Sequence, residues 1–366
     1  MLNIDSFSAE IKQAFIQLVA KHTGLEIRER EQSALYQKIV VRMNILKINR
    51  PENYYRLLNS NTLDSEQEWA EFILNLTNLE SYFFRDKDLF NLLRNTLLPE
   101  LIQRKQYNKT FRICSAGCST GEEPYSLAIL LKELIPDLEQ WNLMILGVDI
   151  NLSALQKAKT GIYRSWSFRN VDIEIKQRYF RLINNQYHID SQIKNMLTFQ
   201  SLNLVKDLFM RPKSELRDMD LILCRNVFIY FEPSAIDKVL NKFHQALQPL
   251  GYLIAGHAEL HGQNLSQFQT KVFPEALIYQ RHANNFIDLP LVYLPNDKTY
   301  LSVDELSIKL HNNTLQNKNY NLYQAALNLL KQLPPDTKLP RLGNLTAAEL
   351  IVQVETALET TDLETK

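Results

Sequence analysis

The run Phe111-Arg-Ile-Cys-Ser-Ala-Gly-Cys-Ser-Thr-Gly-Glu-Glu-Pro124 constrains this chain more than any other, because an apolar strand enters a tight glycine turn and then opens a helix. Only nine glycines occur in 366 residues, and Gly117 and Gly121 both fall in this turn. Without a Cβ, the backbone there can bend sharply and approach a ligand closely. Beyond Pro124, Tyr-Ser-Leu-Ala-Ile-Leu-Leu-Lys-Glu-Leu has helical periodicity, so the free N–H groups of its first turn face whatever sits over the loop. Strand, turn and helix in that order open an α/β fold whose ligand crevice lies at the strand ends.

Residue types sort the candidate ligands. A phosphate-cradling loop requires Lys-Ser or Lys-Thr after its second glycine, whereas Gly121 precedes Glu122 and Glu123, which repel phosphate. A dinucleotide fingerprint needs three glycines, and this loop has two. A cofactor with a cationic group remains. S-adenosylmethionine fits, since its ammonium, sulfonium and ribose diol all favour acidic neighbours; the alternative is an ordinary strand-turn-helix corner. A second strand, Leu143-Met-Ile-Leu-Gly-Val-Asp149-Ile, ends in a carboxylate within the span of one βαβ unit. Asp149 is placed to accept both ribose hydroxyls or to cap a helix starting near Leu152, and the two roles are compatible.

Further on, Asp220-Leu-Ile-Leu-Cys-Arg-Asn226-Val-Phe-Ile-Tyr230-Phe reads as a buried strand with a polar end, leading to a helix over Pro233 to Leu247. Tyr252 to Ala255 reads as another strand, ending at Gly256-His257, and Ala276 to Tyr279 as a last edge strand. The expectation is a parallel sheet with crossover helices over roughly Thr110 to Arg281.

The segments Glu80-Ser-Tyr-Phe-Phe-Arg85-Asp, Ser119-Thr-Gly-Glu-Glu-Pro-Tyr-Ser126, Gly161-Ile-Tyr-Arg164, Cys224-Arg-Asn-Val-Phe-Ile-Tyr-Phe231 and Ala255-Gly-His257 stand in the order found in chemotaxis-receptor methyltransferases. The chain resembles the CheR family over about Phe7 to Arg281, including a helical N-terminal domain with Tyr36-Gln-Lys-Ile-Val-Val-Arg42. The resemblance implies a Rossmann-like class I methyltransferase sheet with a small β-subdomain, preceded by an all-α domain. It implies transfer of a methyl group from S-adenosylmethionine to glutamates on the cytoplasmic helices of methyl-accepting receptors, giving γ-glutamyl methyl esters. It also implies a cofactor site of Ser81, Arg85, Glu123, Asp149, Asn203, Leu204, Asn226 and Val227. Asp149 would hold ribose, Asn203 and Leu204 the adenine end, and Glu123, Asn226 and Val227 the methionine end. Many relatives have Asn at the place of Leu79 and Thr at that of Ser81; leucine cannot supply an amide, so any contact at Leu79 would come from its backbone.

The chemistry asks for positioning. A glutamate with a pKa of about 4.3 is already ionised at neutral pH, so no general base is needed. Arg85 is the expected clamp on the substrate carboxylate, because its planar fork can hold two oxygens at once. Tyr230, just past a strand end, is expected to orient the same carboxylate or the methyl end of the cofactor. Alone, Arg85 followed by Asp86-Lys87-Asp88 reads equally as a solvated helix start. Tyr82, Phe83 and Phe84 are expected to pack, Arg164 to tie a loop to the domain interface, and His257 has no assigned role. Two other functions stay open: a methyltransferase for another protein or a small carboxylate, and a non-catalytic cofactor-binding regulator.

The expected organisation is residues 1–75 as helices with Phe15, Leu18, Val19, Ile39, Val40 and Met43 in the core, and residues 76–282 as the methyltransferase domain with an inserted β-subdomain at about 170–200. In the latter, Arg178 to Asp190 reads as a hairpin with Asn184-Asn185 at its turn. Some members of the family grip a receptor's C-terminal pentapeptide with a glycine-rich loop there; this one has no glycine, so such tethering is expected to be absent. Residues 283–366 follow as a linker, with a proline-bounded stretch at Asp288 to Pro295, and a helical or partly disordered extension. Its helical patterns are Tyr320 to Leu333 and Ala347 to Leu358, and it is a candidate for binding another protein. Lysine plus arginine equals aspartate plus glutamate at 41 each, so global charge does not argue for nucleic acid, and no nucleic-acid partner is expected. Arg28, Arg30, Lys38, Arg42, Lys47 and Arg50 concentrate positive charge in the N-terminal part, whose family counterpart meets acidic receptor helices. No apolar run is long enough to insert in a membrane, and a cytoplasmic location is expected. Cys114, Cys118 and Cys224 read as reduced packing residues, and no metal is expected.

Overall fold

A computed structural model describes residues 7–209 and 215–283, together with short pieces of the C-terminal segment. Met1–Asn284 form one compact unit and Asn285–Lys366 a second.

Four helices begin the first unit: α1 (Ala9–Thr23), α2 (Glu29–Ile45), α3 (Pro51–Leu58) and α4 (Leu63–Leu76). Their ends follow local chemistry. Ser8 caps α1 by accepting from the Ile11 N–H, Pro51 opens α3, and the Thr62 hydroxyl accepts from Ser65 at the start of α4. Phe15, Leu18, Val19, Ile39 and Met43 are buried at the centre of this layer, with Val40 packed against them. Arg42 is buried too. Its guanidinium donates to both oxygens of Glu68, at 2.8 and 2.6 Å, and the Tyr54 hydroxyl donates to the same carboxylate at 2.7 Å. Arg42 therefore contributes no charge to the exposed basic face expected of this region.

Helices α5 (Lys87–Leu92) and α6 (Leu98–Lys105) are joined by one π-helical turn and lead to β1 (Thr110–Ala116). The glycine turn and α7 (Glu122–Leu134) follow, then β2 (Asn142–Asp149) and α8 (Leu152–Thr160). A small sheet comes next, built from β3 (Ile162–Tyr163), β4 (Phe180–Ile183) and β5 (Gln186–Ile189), with α9 (Ile173–Tyr179) between β3 and β4. Asn184 and Asn185, at φ 48° and 61°, make the hairpin turn, since asparagine tolerates the left-handed region that a two-residue hairpin requires. After α10 (Ser191–Lys194) come β6 (Leu197–Ser201), β7 (Met219–Cys224), α11 (Pro233–Ala246), β8 (Leu247–Ala255), β9 (Phe268–Val272) and β10 (Leu277–Arg281).

The main sheet has the order β6-β2-β1-β7-β8-β10-β9. Its first five strands are parallel, as the crossover helices dictate. The last two are not: β10 runs antiparallel to both β8 and β9, so it lies inside the sheet and β9 forms the edge. Sequence reasoning missed β9 because Phe268-Gln-Thr-Lys-Val is polar at three of its five positions and carries no apolar run. Strand β6, also unanticipated, is exposed at three of its five positions.

In the second unit Val292–Leu294, inside the expected linker, pairs antiparallel with Thr299–Leu301, and Lys338–Leu339 pairs with Leu345–Thr346. The expected helix Tyr320 to Leu333 lies outside the described residues. Within the other, Ala348, Ile351 and Val352 are described and helical.

Removing the Glu68 carboxylate would leave Arg42 buried with only the longer, 3.7 Å contact to the exposed Glu71 carboxylate. Glu68→Ala is expected to lower the free energy of urea unfolding by about 3–5 kcal/mol, and Tyr54→Phe by about 1.5–3 kcal/mol.

Candidate cofactor site and the arginine segment beside it

Strand order reverses at β1, which has β2 on one side and β7 on the other, and the crevice at such a point is where open α/β sheets bind ligands. Here the turns after β1 and β7 touch. A Cβ placed on Gly117, at φ 70°, would stand 2.3 Å from Val227 Cγ2. The Gly117 and Cys118 N–H groups both donate to the Val148 carbonyl, curling the loop back over β2. Asp149 terminates β2 buried, with one oxygen accepting from the Ser119 N–H and the other from the Asn151 N–H, each at 2.8 Å. Burial raises its pKa, and the backbone donors Asn151, Ser119 and Ile150 oppose that rise. The cap of α8 belongs to Asn151, whose side chain accepts from Ala154, so Asp149 is free of that duty.

A cavity of about 290 Å³ opens there. Gly117, Ser119, Asp149, Asn203, Leu204, Asn226, Val227 and Tyr230 line its sheet side. The opposite wall comes from the helical layer, with Leu25, Ile27, Leu35 and Lys38 from the α1–α2 region and Ile73, Thr77 and Asn78 from the end of α4. The two sides are stitched by backbone. Glu26 N–H donates to the Tyr230 carbonyl and Glu232 N–H to the Gly24 carbonyl, both at 2.8 Å. Gly24 ends α1 at φ 80° and packs so closely on the sheet domain that a Cβ would stand 2.6 Å from Val205 Cγ2. Asn203 spends its amide on this junction, donating to the His22 carbonyl at 2.8 Å and accepting from the Val205 and Lys206 N–H groups. His22 stacks on Trp69 with ring centroids 3.7 Å apart, and burial, assisted by the charge of Lys206, pushes its pKa down to about 3.

Ser81, Arg85 and Glu123 do not line the cavity. Glu123 accepts from the Ser115 hydroxyl at 2.8 Å and from Arg225 at 3.1 Å. Arg225, buried, also meets Asp86 at 3.3 Å, and Asp86 in turn meets His257 at 3.0 Å. His257 thus has a structural partner that the sequence did not reveal. Arg85 sits between two residues in the left-handed region, Phe84 at φ 52° and Asp86 at φ 74°. Its guanidinium donates to the Glu80 carbonyl at 3.2 Å, and among the described residues it forms no ion pair. The Tyr230 hydroxyl accepts from the Asn78 amide at 3.3 Å. Leu79 takes part through its backbone, its carbonyl accepting from the Ser119 hydroxyl at 3.1 Å. Phe83 and Phe84 are buried, while Tyr82 is half-buried among arginines.

Residues 79–276 match the CheR methyltransferase, SAM binding domain, and residues 12–77 match the CheR methyltransferase, all-alpha domain. The chain belongs to the CheR methyltransferase family. It is 31% identical over 262 residues to the chemotaxis protein methyltransferase of Borreliella burgdorferi, covering 70% of this chain and 90% of that relative. To the chemotaxis protein methyltransferase of Escherichia coli it is 31% identical over 248 residues, 66% of this chain and 82% of the relative.

The CheR cofactor is S-adenosylmethionine, and the cavity suits it on physical grounds. A buried carboxylate stands at the strand end, an apolar wall of Leu35, Ile73 and Leu204 offers a face for a flat ring, and backbone approaches where Gly117 has no side chain. Sequence reasoning missed the wall contributed by the helical layer and by Thr77 and Asn78. The one available signal was the short polar Thr77-Asn78 pair after an amphipathic helix. Among the described residues no helix is long and apolar enough to cross a membrane, and no group of three acidic, histidine or cysteine side chains is placed to hold a metal. All three cysteines are free and buried, with burial pushing their thiol pKa values up.

Gly117→Ala is expected to weaken S-adenosylmethionine binding by at least roughly tenfold, because the added methyl meets Val227 and the residue keeps an unfavourable φ. Calorimetry on Gly117→Ala with Val227→Ala should show partial recovery, since the collision is removed and the φ cost is not.

Proposed function

We propose that this CheR-family methyltransferase esterifies glutamate side chains on cytoplasmic helices of methyl-accepting receptors, in a chemotaxis-type signalling system. The observation that carries the reading is the uncompensated charge of Arg85. Its neighbours Arg169 and Arg225 are each paired with carboxylates of this chain, at 2.9 Å to Glu80 and at 3.1 and 3.3 Å to Glu123 and Asp86. Arg85 alone of the three faces no carboxylate among the described residues, which suits a cation that waits for one from a substrate.

Asp149 would hold the ribose diol with the lone pairs its backbone donors leave free, and Leu204 and Asn203 would border the base. Asn226 and Val227 would meet the methionine portion from the cavity wall, with Glu123 and Ser81 assigned to the same end from outside that wall. When bound, S-adenosylmethionine supplies a methyl carbon activated by its sulfonium. A glutamate carboxylate ionised at neutral pH needs no base, so the work left to the chain is alignment. Arg85 would hold the substrate carboxylate through its planar fork by a modest contact, since too strong a clamp would lower the nucleophilicity of the attacking oxygen. Tyr230, fixed by Asn78, stands at the rim of the cavity and orients the same carboxylate. A fixed arginine and a fixed tyrosine convert a two-body encounter into an effectively unimolecular one. The exposed positive residues of the α1–α2 region would steer acidic receptor helices, with Arg42 excluded by its pairing to Glu68. Such a protein would work in the cytoplasm.

Incubation with methyl-labelled S-adenosylmethionine and cytoplasmic receptor fragments from the same cell should give label that mild base releases as methanol. Arg85→Ala should lower turnover far more than cofactor affinity; equal losses would make Arg85 a cofactor residue. Asp149→Ala should weaken cofactor binding, and unchanged affinity by calorimetry would remove the ribose assignment. Base-stable label would refute ester formation, and label confined to small carboxylates would replace the receptor substrate.

A further inference from the structure

We infer that Arg169 and Trp166 are positioning residues for Arg85, acting through the ring of Tyr82 and the main chain of Glu80. The inference rests on the reading of Arg85 as the substrate clamp. Arg169 follows a single 3-10 turn, Ser165–Phe168, in the connection between β3 and α9. Its guanidinium packs over two aromatic rings, 3.4 Å from the centroid of Tyr82 and 4.3 Å from that of Trp166. The guanidinium of Arg85 stands 5.4 Å from the same Tyr82 ring. Four groups thus follow one another as Trp166, Arg169, Tyr82 and Arg85. Two cations near one ring would repel, and Glu80 resolves the conflict. Its carboxylate accepts from Arg169 at 2.9 Å, while its carbonyl accepts from Arg85 at 3.2 Å. Arg169 is neutralised locally and Arg85 keeps its charge.

The rest of the turn binds the same segment. The Phe83 N–H donates to the Ser167 carbonyl at 2.9 Å, and the Phe83 ring packs against Phe168, Tyr163 and Phe180 at 4.8–5.0 Å. The Ser167 hydroxyl donates to buried Glu122 at the start of α7. These ties explain how Phe84 and Asp86 persist in left-handed conformations, which cost on the order of 1–3 kcal/mol each unless the surroundings over-determine them. Trp166 is 65% exposed, an arrangement that core packing does not require and that a stacking partner for Arg169 does. Release of Arg169 would let residues 80–86 relax and Arg85 lose its aim, while the cavity, which neither Arg169 nor Trp166 lines, would be untouched.

The test compares the wild-type chain with Arg169→Ala, Arg169→Lys, Arg85→Ala and the double alanine variant. Hydrogen exchange over residues 80–86, S-adenosylmethionine affinity by calorimetry, and labelled methyl transfer to cytoplasmic receptor fragments are measured for each. Arg169→Ala should speed exchange in 80–86 several-fold and lower kcat on the order of tenfold, with KM and cofactor affinity near wild type. In the Arg85→Ala background the same change should have no further effect on turnover. Arg169→Lys keeps a charge for Glu80 but has no plane to stack on the rings, so it should fold and recover only part of the rate. Unchanged exchange in 80–86, or equal loss of turnover with and without Arg85, overturns the inference while the clamp reading stands. Full recovery with lysine removes Trp166 from it. Wild-type turnover in Arg85→Ala overturns the clamp reading itself, and this inference with it.

Discussion

The buried charge of Arg225 is the constraint on which the site depends. Its side chain is 4% exposed at the end of β7, where an unpaired guanidinium would cost several kcal/mol. Two carboxylates compensate it, Glu123 from the first turn of α7 and Asp86 from the cap of α5. Ser115, near the end of β1, holds the other oxygen of Glu123. Strand end, glycine turn and Arg85 segment are therefore one electrostatic unit, and none can shift without exposing a charge to an apolar interior. A neutral residue at position 225 would dissolve that unit even if the sheet folded around it.

Around this unit the chain divides its labour by burial. Groups that must stay fixed have spent their hydrogen bonds: Glu122 on Thr120 and Ser167, Asn203 on the α1 terminus and its own turn, Asn151 on α8 and Thr77. Groups proposed to meet ligands keep capacity in reserve. Asp149 accepts from backbone N–H groups, and among the described residues Arg85 donates only to a carbonyl. The helical layer takes part in the site itself, because Leu35 and Ile73 complete the apolar wall of the cavity. Loss of the Gly24 to Glu26 stitching would open the cofactor cavity as well as detach a domain.

Much of this was legible in the residues. The glycine turn, the acidic end of β2, the polar end of β7 and the Asn-Asn hairpin are local patterns, and the structure shows the corresponding strands and turns. The β9–β10 pair was misjudged because a polar edge strand leaves no apolar signature and antiparallel closure depends on which neighbour is free. The basic character assigned to Arg42 failed for a similar reason, since charge counted along a sequence does not reveal that Glu68, a helix away, buries it. His257 looked idle until the fold set Asp86 beside it.

Sequence alone determined the chemistry on offer: a strand-glycine-helix corner that rejects phosphate, a carboxylate one βαβ unit later, and an arginine preceded by three aromatic residues. Those follow from short-range backbone preferences and side-chain type. Tertiary structure decided which charges remain available. Arg85, Arg169 and Arg225 are the same side chain in the sequence, yet among the described residues the fold brings carboxylates to two of them and leaves the third without one. That distinction depends on distances between segments remote in the chain, which local propensity does not encode.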